Sequence, residues 1–304
     1  MDINVTELIK GAIAATAKRF GDEKIVTAED MIPHMRTVHG DAYYPQKYIE
    51  NVQYAASEDA RMDIYFPDEQ TGTCPVFVEV HGGAWYFGQK SSIEFKPFLY
   101  GLKKGYVCVS LGYTLAPKAT YPQPVIEIKQ AIDYLKKHAA EYNIDPARIV
   151  LWGGSAGAHL AALATYSTDT GYLDEQHTLD SSVKMLVLWY GCHNYYLGKQ
   201  LDSWVYQNFF AEKDLRKVAQ QIVLSNPGCH VTKDAPFTLL QHGLNDMVVP
   251  YEQSVYLYDI IKTIAGEERC VLDLVEQCDH ADRKLFAEEN VAKMFEIIES
   301  KLEK

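Results

Sequence analysis

Val150-Leu151-Trp152-Gly153-Gly154-Ser155-Ala156-Gly157-Ala158-His159 reads as an apolar strand, a Gly-x-Ser-x-Gly turn and the start of a helix. Gly153 and Gly157 flank Ser155 because a serine on so sharp a turn crowds its neighbours. Only residues without a Cβ let strand and helix pass that close. The turn lifts the hydroxyl above the strand end. The helix that follows, Ala156 to about Thr165, aims its first N–H groups and positive dipole end at the place where an anionic intermediate would form. Ser155 is therefore a candidate nucleophile. An ordinary glycine-rich strand-to-helix turn has the same pattern, so the rest of the chain must supply the other parts of a reaction centre.

Outward from this stretch the chain alternates. Runs from Pro75 to His81, Tyr106 to Leu111, Lys184 to Tyr190, Pro236 to Gln241 and Cys270 to Val275 are mostly apolar, as strands buried on both faces are. Helical stretches lie between them, from Ser92 to Lys104, Pro122 to Tyr142, Tyr251 to Thr263 and Ala281 to Glu299. In the second of these, Ile126, Ala131, Tyr134 and Leu135 fall at helical spacing. Parallel neighbours need a crossover helix, so this order predicts a doubly wound sheet. Glu50 to Ala55 and Arg61 to Phe66 alternate with period two around the Ser57-Glu58-Asp59 turn, and Pro67 ends the second. They predict an antiparallel start to an eight-stranded, mostly parallel α/β sheet with helices on both faces.

Residues 1–48 precede this domain, which runs over 49–304. They hold two helix-like segments, Val5 to Arg19 and Ala28 to Val38, the second behind Thr27, an N-cap with Asp30 three residues on. The sequence leaves two readings of this helical arm open, a cover for the site or a dimerisation element, and a homodimer is compatible with it. Roughly 45 residues separate the strand ending at Tyr190 from the one starting at Pro236, far more than such a connection needs. The stretch over about 192–235 carries Tyr195, Tyr196, Trp204, Tyr206, Phe209 and Phe210. It predicts a helical cap rising from the carboxyl ends of the strands, where open α/β sheets bind ligands. Packing of the cap on the body accounts for most of these aromatics before substrate contact does.

The 304 residues are 47% hydrophobic and 23% charged, with a net charge of -12. That balance argues against nucleic acid or an anionic membrane as partner, since phosphates reward clustered Lys and Arg. Met1-Asp2-Ile3-Asn4-Val5 lacks the charged-then-apolar layout of a signal peptide, and no run approaches the roughly 20 apolar residues that span a bilayer. A cytoplasmic protein is expected. The cysteines, Cys74, Cys108, Cys192, Cys229, Cys270 and Cys278, are scattered without a Cys-x-x-Cys and read as buried free thiols, neither a disulfide framework nor a zinc site.

A serine hydroxyl is a poor nucleophile at neutral pH unless a histidine takes its proton and a carboxylate orients that histidine. The elbow resembles that of the α/β-hydrolase arrangement, which implies an acid after a late strand and a histidine after the last one. Asp246 lies in Gly243-Leu244-Asn245-Asp246 after the strand from Pro236, and His280 lies in Gln277-Cys278-Asp279-His280 after the final strand. His242 and His81 each precede glycine at a strand exit and fix loops by hydrogen bonding. His159 is one helical turn beyond Ser155, a weaker base, and Asp279 adjoins His280 as the alternative acid. His81-Gly82-Gly83-Ala84-Trp85 follows a central strand, so unobstructed N–H groups of Gly83, Ala84 and, across the site, Ala156 are the expected oxyanion donors, with Gly82 behind them. Trp85 and Tyr86 are expected to contact substrate.

His81-Gly82-Gly83-Ala84-Trp85, Tyr113-Thr114-Leu115-Ala116-Pro117 with Tyr121-Pro122, Gly153-Gly154-Ser155-Ala156-Gly157, Asp246 and His280 together resemble the α/β-hydrolase superfamily. Within it they are most similar to hormone-sensitive-lipase-like carboxylesterases and to acetyl- and feruloyl-type carbohydrate esterases, over about residues 50–300. The resemblance implies a serine carboxylesterase acting on small ester substrates without metal or organic cofactor. Two departures matter. Ala84 stands at the last glycine of the family's His-Gly-Gly-Gly, which narrows the space near the acyl carbon. The elbow reads Gly-Gly-Ser-Ala-Gly-Ala where lipase-like members carry Gly-Asp-Ser-Ala-Gly-Gly, which points away from lipid substrates; Ala84 and the aromatic cap point toward short acyl chains. Ser155-Ala156-Gly157-Ala158-His159-Leu160 also resembles arylformamidases, which makes a small aromatic amidase the alternative. A catalytically silent hydrolase fold that only binds is the alternative of another class.

Overall fold

The computed structural model describes residues 45–302 apart from 71, 93–94, 169, 175 and 198–203. Its eight strands are β1 (Tyr48–Gln53), β2 (Arg61–Tyr65), β3 (Cys74–Val80), β4 (Val107–Leu111), β5 (Ile144–Gly154), β6 (Met185–Trp189), β7 (Phe237–Gly243) and β8 (Cys270–Val275). They form one sheet in the order β1-β2-β4-β3-β5-β6-β7-β8. The pairs β1–β2 and β2–β4 are antiparallel and the remaining five are parallel, as the alternation of the sequence predicts.

The central strands are apolar, save for the buried pair Glu79 and Ser110, because each face meets its own core. Val76, Val78 and Val80 of β3 and Ile149 and Leu151 of β5 enter one cluster, with Ile128, Ile132, Leu160, Leu163, Leu257 and Ile261. Phe77, Val150 and Trp152 enter the other, with Phe98, Leu102, Met294, Phe295 and Ile298. Side chains alternate across a strand, so a strand covered on both faces loses the polar half of its pattern. At about 1.5–3 kcal/mol for each large apolar side chain buried, these two layers dominate the drive to fold.

The helices of the first face are α2 (Gln123–Lys137), α4 (Ala156–Tyr166) and α7 (Glu252–Ile264). Those of the second are the short α1 (Tyr100–Lys103) and the C-terminal α9 (Glu288–Leu302). The sequence overestimates continuity in three places. The helix expected from Ser92 is a 3₁₀ turn over Lys96–Leu99 running into α1. The helix expected over 122–142 breaks at His138, leaving α3 (Ala139–Tyr142), and the last one breaks at Ala287, leaving α8 (Arg283–Phe286) ahead of α9. Ala287 adopts an extended conformation with ψ 141, which helical periodicity alone does not reveal.

The insertion between β6 and β7 contains α5 (Trp204–Phe209), α6 (Ala219–Leu224) and two 3₁₀ turns. The helices expected over 5–19 and 28–38 lie outside the described residues. Among the described residues no helix is long and apolar enough to cross a membrane. The six cysteines are unpaired; five are buried, and Cys229, expected inside, is exposed.

Candidate active site

Ser155 sits between β5 and α4 with φ 54 and ψ -121, a conformation that side chains other than glycine rarely adopt. The flanking glycines make it attainable. A Cβ on Gly153 would lie 2.4 Å from Gly157 O, and one on Gly157 would lie 2.0 Å from Val80 O. Both obstacles are main chain, which no rotamer change can clear. The Ser155 N–H is anchored to Trp189 O at 2.9 Å, tying the turn to the neighbouring strand. Every residue of α4 is buried, and its many alanines let it press into the sheet.

The structure brings Ser155, His280 and Asp246 together from three separate loops. Ser155 Oγ donates to His280 Nε2 at 3.0 Å, and His280 Nδ1 donates to Asp246 Oδ2 at 2.7 Å. The ring of Tyr190, just past β6, meets the His280 ring edge-to-face at 4.8 Å between centroids. The Asp246 side chain is fully buried and that of His280 is 15% exposed. Burial pushes the Asp246 carboxyl up, but hydrogen bonds from His242 and His280, the His280 charge and the Val249 N–H together hold it well below the usual carboxylate range. The carboxylate is thus charged at neutral pH. It can hold one imidazole tautomer and stabilise the imidazolium formed when the Ser155 proton moves.

Asp279, the alternative acid, is turned elsewhere. Its Oδ1 accepts from the main-chain N–H groups of Met247 and His280, pinning the two loops to each other. His242 fixes its loop as expected and does more. Val249 O, 2.9 Å from His242 Nε2, can only accept, so Nε2 carries the proton and also donates to Asp246 Oδ2 at 3.2 Å. Ser254 Oγ then donates to Nδ1 at 2.7 Å. Asp246 Oδ2 is shared by two imidazoles, while Oδ1 accepts from Val248 N and Val249 N. His242→Leu is expected to lower kcat roughly 10- to 100-fold, the worth of one hydrogen bond to a charged group. His242→Gln, whose amide nitrogen can occupy the Nε2 position, should recover most of it. Equal losses in steady-state assays of the two variants would show that His242 only fills space.

The loop after β3 is held by main-chain contacts and by the segment after β4. Gly83 O accepts from Tyr86 N and Phe87 N, and Gly83, Ala84 and Trp85 have φ values of 112, 54 and 58. Tyr113 Oη donates to His81 O at 3.0 Å and Ala116 N to Trp85 O at 2.9 Å. Glu127, buried on α2, in turn clasps Thr114 through its N–H at 2.7 Å and its hydroxyl at 2.9 Å. This explains why Tyr113-Thr114-Leu115-Ala116-Pro117 accompanies His81-Gly82-Gly83-Ala84-Trp85. A Cβ on Gly82 would lie 3.3 Å from Ser155 Cβ and 2.9 Å from Gly154 O, so the Gly82–Gly83 peptide runs alongside the nucleophile. Ala156 opens α4, where the first N–H groups have no carbonyl within the helix to bond.

Trp85 is placed differently from its expected role. It is 3% exposed, stacks on Phe209 at 4.6 Å and donates its indole N–H to His159 Nδ1 at 3.2 Å. Its ring is a bolt between loop and insertion. Tyr86 is half-buried, edge-on to Phe87. His159 is fully buried, and its Nε2 lies 2.8 Å from Ser225 O and 3.0 Å from Tyr195 Oη. Burial pushes it down to about 4, so it is a neutral strut between α4, the β3 loop and the insertion. Tyr195, Tyr206, Phe209 and Phe210 are buried around it, as packing residues should be, whereas Tyr196 is exposed. Nothing in the sequence marks Gln253, whose amide ties His193 N, Asn194 N and Asn194 O of the insertion to the start of α7. A glutamine in a helix's first turn carries no pattern that marks such a role.

Comparison with known proteins adds to this geometry. A family model described as BD-FAE matches residues 62–261. The chain is 29% identical to a probable carboxylic ester hydrolase, LipM, of Mycobacterium tuberculosis, over 66% of this chain and 48% of that protein. It is 31% identical to esterase LipQ of the same organism, over 62% of this chain and 46% of that protein. The chain thus spans about half the length of these curated relatives. A solved structure, a truncated form of a carbohydrate esterase from gut microbiota, superposes with a TM-score of 0.76 at 26% identity, covering 86% of this chain and 98% of that one.

Proposed function

The chain belongs to the BD-FAE family, and on that premise we propose that it is a serine carboxylesterase of short-chain or aromatic acyl esters, acyl groups on sugars among them. The observation that carries the reading is the unbroken hydrogen-bond chain from Ser155 through His280 to Asp246. Ser155 Oγ attacks the ester carbonyl carbon as its proton passes to His280 Nε2. The N–H groups of Gly83, Ala84 and Ala156, with Gly82 beside them, receive the oxyanion. The C–O bond to the alcohol breaks, and His280 hands its proton to the departing oxygen. Water then attacks the acyl-enzyme, giving a proton to His280, which returns it to Ser155 as the acid leaves.

We read the insertion as a cap, because its aromatics close over Trp85 and His159 behind the nucleophile. Ala84 in the loop and this aromatic cover support short or flat acyl groups. A panel of acetyl, butyryl, octanoyl and feruloyl esters, run beside N-formylkynurenine, tests the assignment. The expected result is highest kcat/KM for acetyl or feruloyl; an octanoyl optimum overturns the chain-length reading, and a formamide optimum makes the protein an amidase. The location and assembly we propose are a cytoplasmic protein and a homodimer. Six unpaired cysteines suit a reducing compartment. The edge strand β1, with Tyr48 and Ile49 exposed, suits pairing with a second copy.

A further inference from the structure

Once Ser155 is acylated its Oγ has no proton, and the hydrogen bond that ties it to His280 Nε2 at 3.0 Å is gone. The imidazole must still present Nε2 to the water that frees the acid. Two of its contacts outlast the step: Asp246 Oδ2 on Nδ1 at 2.7 Å, and the ring of Tyr190, 4.8 Å away between centroids with 67° between the planes. A single hydrogen bond fixes one point of the imidazole and leaves the ring free to tilt about it. An aromatic ring packed against it removes that freedom.

Tyr190 is held where it can do this. It follows β6 with φ 40, a left-handed conformation that a tyrosine keeps only where its surroundings fix it. Main chain fixes it on both sides. Tyr190 N–H donates to Gln241 O at 2.9 Å, and the carbonyl just before it, that of Trp189, accepts from Ser155 N at 2.9 Å. The side chain is buried and reaches from the nucleophile's turn to the base. A Cβ on Gly154 would lie 3.0 Å from Tyr190 Oη and 3.3 Å from its Cε2, with Trp152 Cη2 at 3.1 Å. Gly154 ends β5 without a left-handed φ, so its own backbone does not call for glycine; the two rings beside it do.

We propose that Tyr190 is a positioning residue that holds the His280 imidazole in place for deacylation, and that Gly154 is the residue that makes room for it. The proposal rests on the esterase reading above. Tyr190→Leu removes the ring, and Tyr190→Phe keeps it. At saturating p-nitrophenyl acetate, rapid quenching and mass spectrometry give the ratio of acetylated to free Ser155, which is the acylation rate divided by the deacylation rate. Acylation begins with Ser155 still bonded to His280, so loss of the ring falls on deacylation. The ratio is expected to rise about tenfold in Tyr190→Leu, the upper worth of an aromatic pair, and to stay within about twofold in Tyr190→Phe. General damage to the fold slows both steps and leaves the ratio where it was. Gly154→Ala displaces the ring from its other side and should raise the ratio about threefold; adding Tyr190→Phe, which removes the nearest ring atom, should bring it back. That pair decides the matter if Tyr190→Leu does not fold. A ratio unmoved by loss or displacement of the ring, or moved as far by Tyr190→Phe as by Tyr190→Leu, overturns the positioning role and leaves the esterase reading intact. An unaltered protein that neither releases p-nitrophenol nor carries acetyl on Ser155 overturns the esterase reading and this role with it.

Discussion

Ser155→Ala is expected to lower kcat for p-nitrophenyl acetate by roughly 10⁴- to 10⁶-fold, the loss that follows when a triad nucleophile is removed. The melting temperature should hold within a few degrees, because alanine keeps the Cβ that the φ of 54 already accommodates and removes only the hydroxyl bonded to His280. Labelling by a fluorophosphonate probe should vanish in the same variant. Hydrolysis near the unaltered rate would end the assignment of Ser155 as nucleophile. An unaltered protein that neither labels nor hydrolyses any ester would revive the silent, binding-only reading.

Asp246→Asn should cost nearly as much, about 10⁴-fold in kcat at neutral pH. The reason lies in how the carboxylate is held. Oδ1 accepts from two main-chain N–H groups, so the asparagine oxygen must stay there and its NH₂ must take the Oδ2 position. That NH₂ then faces two imidazole N–H groups, those of His280 and His242, across 2.7 and 3.2 Å. His280 can relieve the clash only by moving its proton to Nε2, where it can no longer accept from Ser155. Asp279→Asn, by contrast, keeps an oxygen for its two main-chain donors and should change kcat less than tenfold, since no ring proton is involved. Steady-state kinetics of the two variants side by side decide the acid. A larger loss at Asp279 would reverse the roles.

Much of this arrangement is legible in the sequence. Apolar runs of five to seven residues between helical stretches are enough to order the parallel strands, because both faces of β3 and β6 are covered and only Glu79, itself buried, interrupts them. Ser155, Asp246 and His280 are legible because each follows a strand in a required order and all open on one rim. What stays hidden depends on partners distant in sequence. Trp85 reads as a substrate contact until His159, 74 residues on, is seen to accept its N–H. His159 itself reads as a spare base until Ser225, a further 66 residues away, takes up its Nε2. His242 announces a loop contact, but its share in Asp246 appears only when two carbonyl and carboxylate acceptors converge on one nitrogen. The helix breaks at His138 and Ala287 carry no signal in the sequence because neither residue is a glycine or proline.

The contact of Gly157 with Val80 O, and of Gly82 with Ser155, has a consequence for how such a protein can change over generations. The distance between attacking oxygen and oxyanion donors is set by backbone touching backbone at two glycines. The aromatic insertion bears on it only through Trp85, whose stack on Phe209 and bond to His159 tie the loop after β3 to α4. Substitutions in the insertion away from Trp85, Phe209 and His159 leave these contacts untouched, whereas a side chain at either glycine forces main chain apart beside the nucleophile.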